Sequence, residues 1–322
     1  MVTIRHIARE AGVSVGTVSN VLNNSSFVSD ETRERVLGII RQHNYRPSAV
    51  ARSLATRQTR LFGLIVSSIF NPFTGEMIEG ASEAAHALRY SLLLASAAYD
   101  SHDVPEHVDT LLNQWVDGIF LACQPLPPGM FHTLKFLETP LVIMDHGQTP
   151  PKEAVGVVGF DWQSAGYLAT HHLIALGHCC IGYVGGIPDR SSTMERETGH
   201  RRALAEAGLP YVADYHAAGD FLTEGGYQCA MHLLHLDPRP TGIILANDLM
   251  ALGAIQAATE LGLRVPKDVS VVGMDDISFA AYAAPPLTTV RVPTRELGRI
   301  GLRILGETPD STTPLRRVIL PV

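Results

Sequence analysis

Residues 3–23, TIRHIAREAGVSVGTVSNVLN, constrain this chain more than any other stretch. Apolar residues recur at Ile4, Ile7, Ala8 and Ala11, the spacing of one helix face. Thr3 stands before them as an N-cap, and Ala11-Gly12-Val13 supplies a tight turn. Ser14 can cap a second helix that buries Val18, Val21 and Leu22. Two short helices joined by a Gly-containing turn make a helix-turn-helix, whose second helix enters the DNA major groove. A helical hairpin that merely packs fits the same pattern, so the neighbouring residues decide. A third helix follows, capped by Ser29, with Val36, Ile39 and Ile40 on its inner face.

Charge supports the DNA reading. Residues 1–60 hold nine Arg and no Lys against four acidic residues, a surplus of five. The remainder holds sixteen basic and 28 acidic residues, a deficit of twelve that brings the chain to −7. A basic head on an acidic body suits phosphate contact at one end and solubility at the other. Val15, Gly16 and Asn20 fall on the outer face of the second helix. Asn20 can read adenine with two hydrogen bonds, Val15 can meet a thymine methyl, and Gly16 lets the backbone approach. Thr17 and Ser19 suit phosphates, which position without specifying. Thr3 and Ser14 complete the candidate DNA-contact set in the head.

Beyond the third helix lies Tyr45-Arg46-Pro47-Ser48-Ala49-Val50-Ala51-Arg52-Ser53-Leu54. Pro47 disfavours helix at Arg46 and ends the third helix near His43. Ser48 can then cap a short helix over 49–54, too short to stand alone in water. Leu54, between Arg52 and Arg57, has the character of a wedge that enters the minor groove and kinks the duplex, with Ala51 and Arg52 beside it. The same residues also read as a plain interdomain linker.

The body alternates strands and helices. Strands are predicted at 62–66, 91–95, 118–121 and 141–144, then at 180–184, 242–245 and 269–273, with helices between. The plan is two doubly wound α/β subdomains with parallel sheets, ligands lying beyond the carboxyl ends of the strands. No apolar run reaches ~18 residues, so no membrane span is expected, and no leader precedes the first helix. The four cysteines, including adjacent Cys179 and Cys180, suit free thiols rather than a disulfide framework. G-x-G-x-x-G and G-x-x-x-x-G-K-[ST] are absent, which argues against nucleotide-dependent chemistry, and the single G-x-S-x-G, Gly12–Gly16, lies in the turn between two helices rather than between a strand and a helix as a serine hydrolase requires. His171, His172 and His178 are the tight histidine cluster, and neighbours on one element point apart, so no metal is expected.

Candidate ligand contacts sit at strand ends. The first strand runs into 67–73, where Phe70 or Phe73 can cover the apolar face of a sugar or stack on a base. Asp145, Asn247-Asp248 and Asp275-Asp276 follow other strands, and such acceptors suit polyol hydroxyls. Arg190 and Arg196 flank the loop after 180–184, with Arg196 expected at a helix start; Trp162 at the crossover is a possible lid over the ligand. Each charge also reads as a helix cap or surface ion pair.

Three motifs, TIxxIAxxAGVSxxTVSxVLN, YxPSAxARSL and a sugar-binding-protein-like body, occur in order, and the chain resembles the lactose-repressor/galactose-repressor family of bacterial transcription regulators. The resemblance implies an all-α helix-turn-helix head over 1–46 and a hinge over 47–60. It also implies a periplasmic-binding-protein-like body over 61–322. Within the body it implies one subdomain of 61–160 and 291–311 and another of 162–289 and 312–322, with 285–290 as a crossover. It favours Arg196 and Asp275 as effector contacts, from MERETGHRRAL and VVGMDDISFA, and supports Phe73, Arg190, Phe221 and Asn247. The chain departs from the family pattern after Val322, which suggests a less stable second subdomain. The implied protein is a cytoplasmic, nucleoid-associated homodimer that binds palindromic double-stranded operator DNA. A small-molecule effector, sugar-like or a nucleobase, controls it, with no cofactor, metal or membrane. The alternatives are a small-molecule binding protein or sugar-processing enzyme that does not use its head.

Overall fold

The computed structural model describes residues 2–45, 53, 58–97, 101–123, 139–144, 154–307 and 315–322. Two compact units emerge, Met1–Thr59 and Arg60–Val322. The hinge residues Ala51, Arg52 and Leu54 lie outside the described residues, as does Asp145.

In the first unit, α1 spans Ile4–Glu10, α2 Val15–Leu22 and α3 Asp30–Gln42. All three start as their cap residues dictate: Thr3, Ser14 and Ser29 each accept from a backbone N–H three residues on. Gly12, at φ 65°, takes the left-handed turn that a side chain would strain. Ile7, Ala8, Ala11, Val18, Val21 and Val36 form the sealed centre, while Leu22, Ile39 and Ile40 are only partly covered.

The second unit contains two sheets, each entirely parallel. The first has strand order β11-β5-β4-β3-β1-β2. Its strands are β1 Leu61–Val66, β2 Ser91–Ser96, β3 Gly118–Ala122, β4 Leu141–Met144, β5 Ala154–Phe160 and β11 Arg316–Leu320. The second has order β10-β9-β8-β6-β7. Its strands are β6 Ile181–Gly185, β7 His216–Ala218, β8 Gly242–Leu245, β9 Ser270–Asp275 and β10 Thr288–Arg291. The continuous apolar runs of β1, β3 and β8 follow from burial on both faces.

Two expectations are corrected here. Residues 316–320 do not join the second subdomain: β11 pairs in parallel with β5, Val318 opposite Val158, at the edge of the first sheet. The stretch 285–290 is not purely a crossover, because Thr288–Arg291 hydrogen-bonds beside β9 as an edge strand of the second sheet. Strands β5 and β7 were absent from the sequence expectation. Gly156 and Gly159 make 154–160 look like a loop, yet Gly156 is where Ile304 presses on the sheet, its Cγ2 2.9 Å from where a Cβ would stand.

Helices cover both faces of each sheet. On the first sheet α4 (Pro72–Ala87) and α10 (Thr294–Glu307) pack over Phe62, Leu64, Phe120 and Val142. On the opposite face α5 (Val104–Asn113) packs over Ile65, Ile119, Leu121 and Ile143. On the second, α6 (Trp162–Ala175) and α7 (Ser191–Glu206) cover Tyr183, Ile244 and Val272. The helices α8 (Thr223–Leu234) and α9 (Asp248–Glu260) cover Val184, Ile243, Leu245 and Val271. Alternation of neighbouring residues between faces is the strand period of two.

Three helix pairs touch backbone to backbone. A Cβ at Gly80 of α4 would lie 1.8 Å from the Arg295 carbonyl oxygen, and one at Gly298 of α10 2.1 Å from that of Met77. Gly166 and Gly199 relate α6 and α7 in the same reciprocal way, at 1.9 Å from the carbonyls of Arg196 and Gln163. Gly226 and Gly253 do so for α8 and α9. Among the described residues, no helix is long and apolar enough to cross a membrane.

Candidate DNA-binding head and ligand cleft

In the head, α2 presents Val15, Gly16 and Asn20 to solvent, with Val15 41% exposed. The Ser14 hydroxyl lies 3.0 Å from the Thr17 N–H it caps and 2.9 Å from Thr17 Oγ1. The Thr3 hydroxyl accepts from His6 N at 3.3 Å. Ser19 is half-buried. Val15 and Gly16 lie at the capped start of α2 and Asn20 in its last turn, and all three are exposed.

In the body, a cleft lies beyond the carboxyl ends of the strands, as doubly wound sheets favour. It spans about 580 Å³ of space between the side chains, part of it open solvent. Phe73, Arg190, Arg196, Phe221, Asn247 and Asp275 all line it. Six residues separated by up to two hundred positions in sequence therefore converge, drawn from both sheets.

Each is held for a local reason. Asn71 caps α4 by accepting from Phe73 N at 3.0 Å, and Pro72 occupies the first helical turn. Phe73 is thus a helix residue rather than a loop residue, its ring 6.1 Å from that of Phe160 and 6.4 Å from that of Trp162. Phe70, by contrast, is 90% exposed and does not line the cleft. Arg196 sits in the second turn of α7, not at its start as the sequence suggested, because the helix begins at Ser191. Its guanidinium stacks 3.4 Å from the centroid of the Trp162 ring, and Nη1 donates to the Ser192 carbonyl at 3.1 Å. Arg190 and Arg196 both stand 5.7 Å from the Phe221 ring. These are cation–π distances that hold a planar cation in place while leaving its edge for hydrogen bonding.

Asn247 serves the wall as well as facing it. Its Oδ1 accepts from Met250 N at 2.9 Å and caps α9, and its Nδ2 donates to the Phe221 carbonyl at 3.0 Å. That bond fixes Phe221 at φ 68°, a left-handed conformation a bulky side chain rarely takes. Asp275 at φ 127° and Asp276 at φ 61° share the anomaly. Strained backbone clustered around one cleft is typical of binding sites.

Asp275 is the electrostatic focus. It is buried at the end of β9, and its carboxylate meets no hydrogen-bond donor among the described residues. Burial, then the neighbouring charge of Asp248, pushes its pKa well above the ordinary carboxylate range, against the pull of Arg196. Asp248, raised to about 6 by burial, is a structural acid instead: it accepts from Ile277 N at 2.9 Å and from the Thr289 hydroxyl at 2.5 Å. An unmatched buried carboxyl facing a cleft is a group that a ligand hydroxyl or N–H would satisfy.

Trp162, Ser67, Asn71, Met144 and Ser192 also line the cleft. Trp162 was named only as a possible lid; it is buried within the wall as the platform under Arg196. The Asn71-Pro72 cap-and-start pair was the available signal for Asn71, whereas Ser67 and Ser192 carried none. The sequence cluster His171, His172 and His178 does not converge: His178 binds Thr241 and Ser270 hydroxyls at 2.8 and 3.0 Å. Cys123, Cys179, Cys180 and Cys229 are free thiols.

Comparison with known proteins agrees with both halves. Residues 3–48 match the family model described as bacterial regulatory proteins, lacI family. Residues 170–322 match that of a periplasmic binding protein-like domain. The HTH-type transcriptional repressor PurR of Haemophilus influenzae (strain PittEE) is 40% identical over 308 residues, 95% of this chain and 91% of that one. PurR of Aliivibrio salmonicida (strain LFI1238) is 38% identical over 308 residues, with 95% and 92% covered. The Lac repressor dimer bound to operator and the anti-inducer ONPF superposes with a TM-score of 0.87 at 31% identity, over 99% of this chain and 96% of that one. The complex of transcriptional regulator CelR with cellobiose gives 0.72 at 32%, over 100% and 97%. With head, body and sequence all in agreement, this chain is a helix-turn-helix transcriptional regulator that belongs to the lacI family of bacterial regulatory proteins.

Proposed function

We propose that the chain acts in the bacterial cytoplasm as a homodimeric repressor of palindromic operator DNA, its affinity controlled by a small molecule in the cleft. Asn20 and Val15 would read base edges with Gly16 at close approach, and Thr3, Ser14, Thr17 and Ser19 would take phosphates. The proposed boundaries are a head to residue 46, a hinge over 47–60 carrying Ala51, Arg52 and Leu54, and a body from 61. The observation that carries the effector reading is the unmatched buried Asp275 beside stacked Arg196, walled by Phe73, Trp162 and Phe221.

The effector is sugar-like. An acid and two arginines suit a pattern of hydroxyls, and the rings cover the apolar face of a pyranose. The same rings and charges accept a flat nucleobase, so the test must include both. Catalysis is not part of the reading: no histidine or cysteine lines the cleft among the described residues, so its hydroxyls have no such base beside them.

The test is a calorimetric screen of sugars and nucleobases on the full chain, repeated with Asp275→Ala and with a gel-shift assay on the operator. Asp275→Ala should keep operator binding and lose at least about 10-fold in effector affinity, as leaving a buried ligand group without its hydrogen-bond partner requires. Wild-type effector affinity in that variant would remove Asp275 from the site. Specific operator binding by a chain lacking residues 1–60 would overturn the division of roles.

A further inference from the structure

The fold brings together a different set of histidines from those adjacent in sequence. His6 and Glu10 stand four residues apart on α1, hence on one helix face. His43 is the C-cap residue of α3. Glu10 Oε2 lies 3.4 Å from His6 Nε2 and 2.6 Å from His43 Nε2. The two imidazole rings meet edge to face with centroids 5.2 Å apart. One ligand atom from each of the three residues falls within 4.8 Å of the others. His43 Nε2 is shielded from solvent and makes no bond of proper hydrogen-bond geometry among the described residues, despite the carboxylate oxygen so close to it. A nitrogen and a carboxylate oxygen this near, with no proton aligned between them, is an arrangement a cation resolves.

We propose that His6, Glu10 and His43 form a three-ligand site for Zn²⁺ that clamps α1 to the C-terminal end of α3 within the head. Two imidazoles and one carboxylate are a donor set suited to this ion, with water in the fourth position. Tetrahedral bonds of about 2.0–2.1 Å place ligand atoms roughly 3.3 Å apart. The His6–Glu10 pair already has that separation. The His43–Glu10 contact must open by about 0.7 Å to reach it. All three side chains keep between a quarter and two fifths of their surface in solvent, so rotamer adjustment supplies the movement without disturbing the core. One neighbour has to yield. Arg9 Nη2 is 3.2 Å from His6 Nδ1. With Nε2 on the metal, Nδ1 carries the proton and no longer accepts, so the exposed Arg9 turns to solvent.

The gain is mechanical. The head has six sealed apolar side chains at its centre, five of them alanine or valine, and units this small commonly rely on a staple. A clamp between the first helix and the end of the third closes the three-helix unit at the point where the hinge begins.

The experiment titrates the full chain with Zn²⁺ against a chromophoric chelator, and with Co²⁺ to read the tetrahedral absorption. It compares wild type with His6→Asn, His43→Gln and the near-isosteric Glu10→Gln. Wild type should hold one more Zn²⁺ per chain than either histidine variant, with affinity reduced by about 100-fold or more in the variants. Zn²⁺ should raise the melting temperature of the wild-type head, and chelator should reverse the shift. Circular dichroism identifies any variant that fails to fold, and Glu10→Gln then carries the comparison. Equal stoichiometry and equal melting shifts in wild type and in the folded variants would overturn the proposal.

Discussion

Replacing Gly166 by Ala tests how the position of Arg196 is set. In an exposed helix the change would add about 0.8–1.0 kcal/mol of stability, because alanine is the better helix former. In α6 the new Cβ would stand 1.9 Å from the Arg196 carbonyl oxygen, 2.7 Å from its carbonyl carbon and 3.0 Å from its Cα. These are backbone atoms, so no side-chain rotation relieves the clash. Bringing the nearest contact out to 3.0 Å requires α6 and α7 to part by about 1.1 Å. Overpacking of this kind costs about 1–3 kcal/mol and outweighs the propensity gain. Because backbone cannot rotate away, the cost lies in the upper part of that range, and the expected net loss is about 1–2 kcal/mol, seen as a fall of roughly 2–4 °C in melting temperature per kcal/mol. Gly75→Ala in α4 is the control. Nothing lies within 4 Å of its added Cβ, so it should be neutral or stabilising by up to about 1 kcal/mol. Urea denaturation followed by circular dichroism and tryptophan fluorescence measures both. If Gly166→Ala is as stable as wild type, the close crossing does not determine where α7 lies, and the reasoning fails.

Two buried histidines should lower stability in mild acid, against the gain that the raised carboxyls of Asp248 and Asp275 supply in the same range. Burial, aided by the neighbouring His216, pushes the pKa of His200 from 6.5 down to about 3, and burial pushes His216 itself to about 4. Above pH 6.5 both folded and unfolded chains are neutral there; below it the unfolded chain takes up a proton that the folded one refuses. His200 alone should remove about 2 kcal/mol between pH 7 and pH 5, so His200→Asn should gain about that much relative to wild type over this range when urea midpoints are compared. Asn247→Ala should cost about 1–2 kcal/mol through the lost α9 cap and release Phe221, read as a lower urea midpoint. Leu54→Ala should weaken operator binding by about 10-fold or more while leaving the melting of the body unchanged; unchanged affinity and unchanged DNA bending would favour a plain linker.

The head was legible in the sequence because its signals are local. Thr3, Ser14, Ser29 and Gly12 act within three residues of themselves, and each does what its type dictates. The strands with continuous apolar runs were legible for the same reason. What escaped was set by distant partners. No strand was expected over β5, whose glycine at 156 leaves room that Ile304, nearly 150 residues later, fills. β11 could be assigned to a sheet only by its neighbour β5, since RRVIL suits any edge. The six effector-contact candidates that fall among the described residues converge on one cleft, and Asp145 lies outside those residues. Their side-chain roles were less legible: Asn247 is spent on a cap and on Phe221, and the Trp162–Arg196 stack has no sequence signature.

The reciprocal glycine contacts have a dynamic consequence. Helices packed on intervening side chains can slide by a fraction of a turn as those side chains change rotamer, which is the basis of shear motion. Helices seated carbonyl against Cα have no such lubricating layer. Sliding α6 along α7, α8 along α9 or α4 along α10 would drive peptide groups into one another. Each sheet and its helix pairs should therefore travel as a rigid body. Any opening or closing of the cleft is then confined to the few peptide bonds where the chain passes from one sheet to the other, near Asp161 and Val292. Motion of that type is a hinge with a small number of pivots, and it transmits a displacement at Asp275 or Arg196 across the body without dissipating it in side-chain repacking.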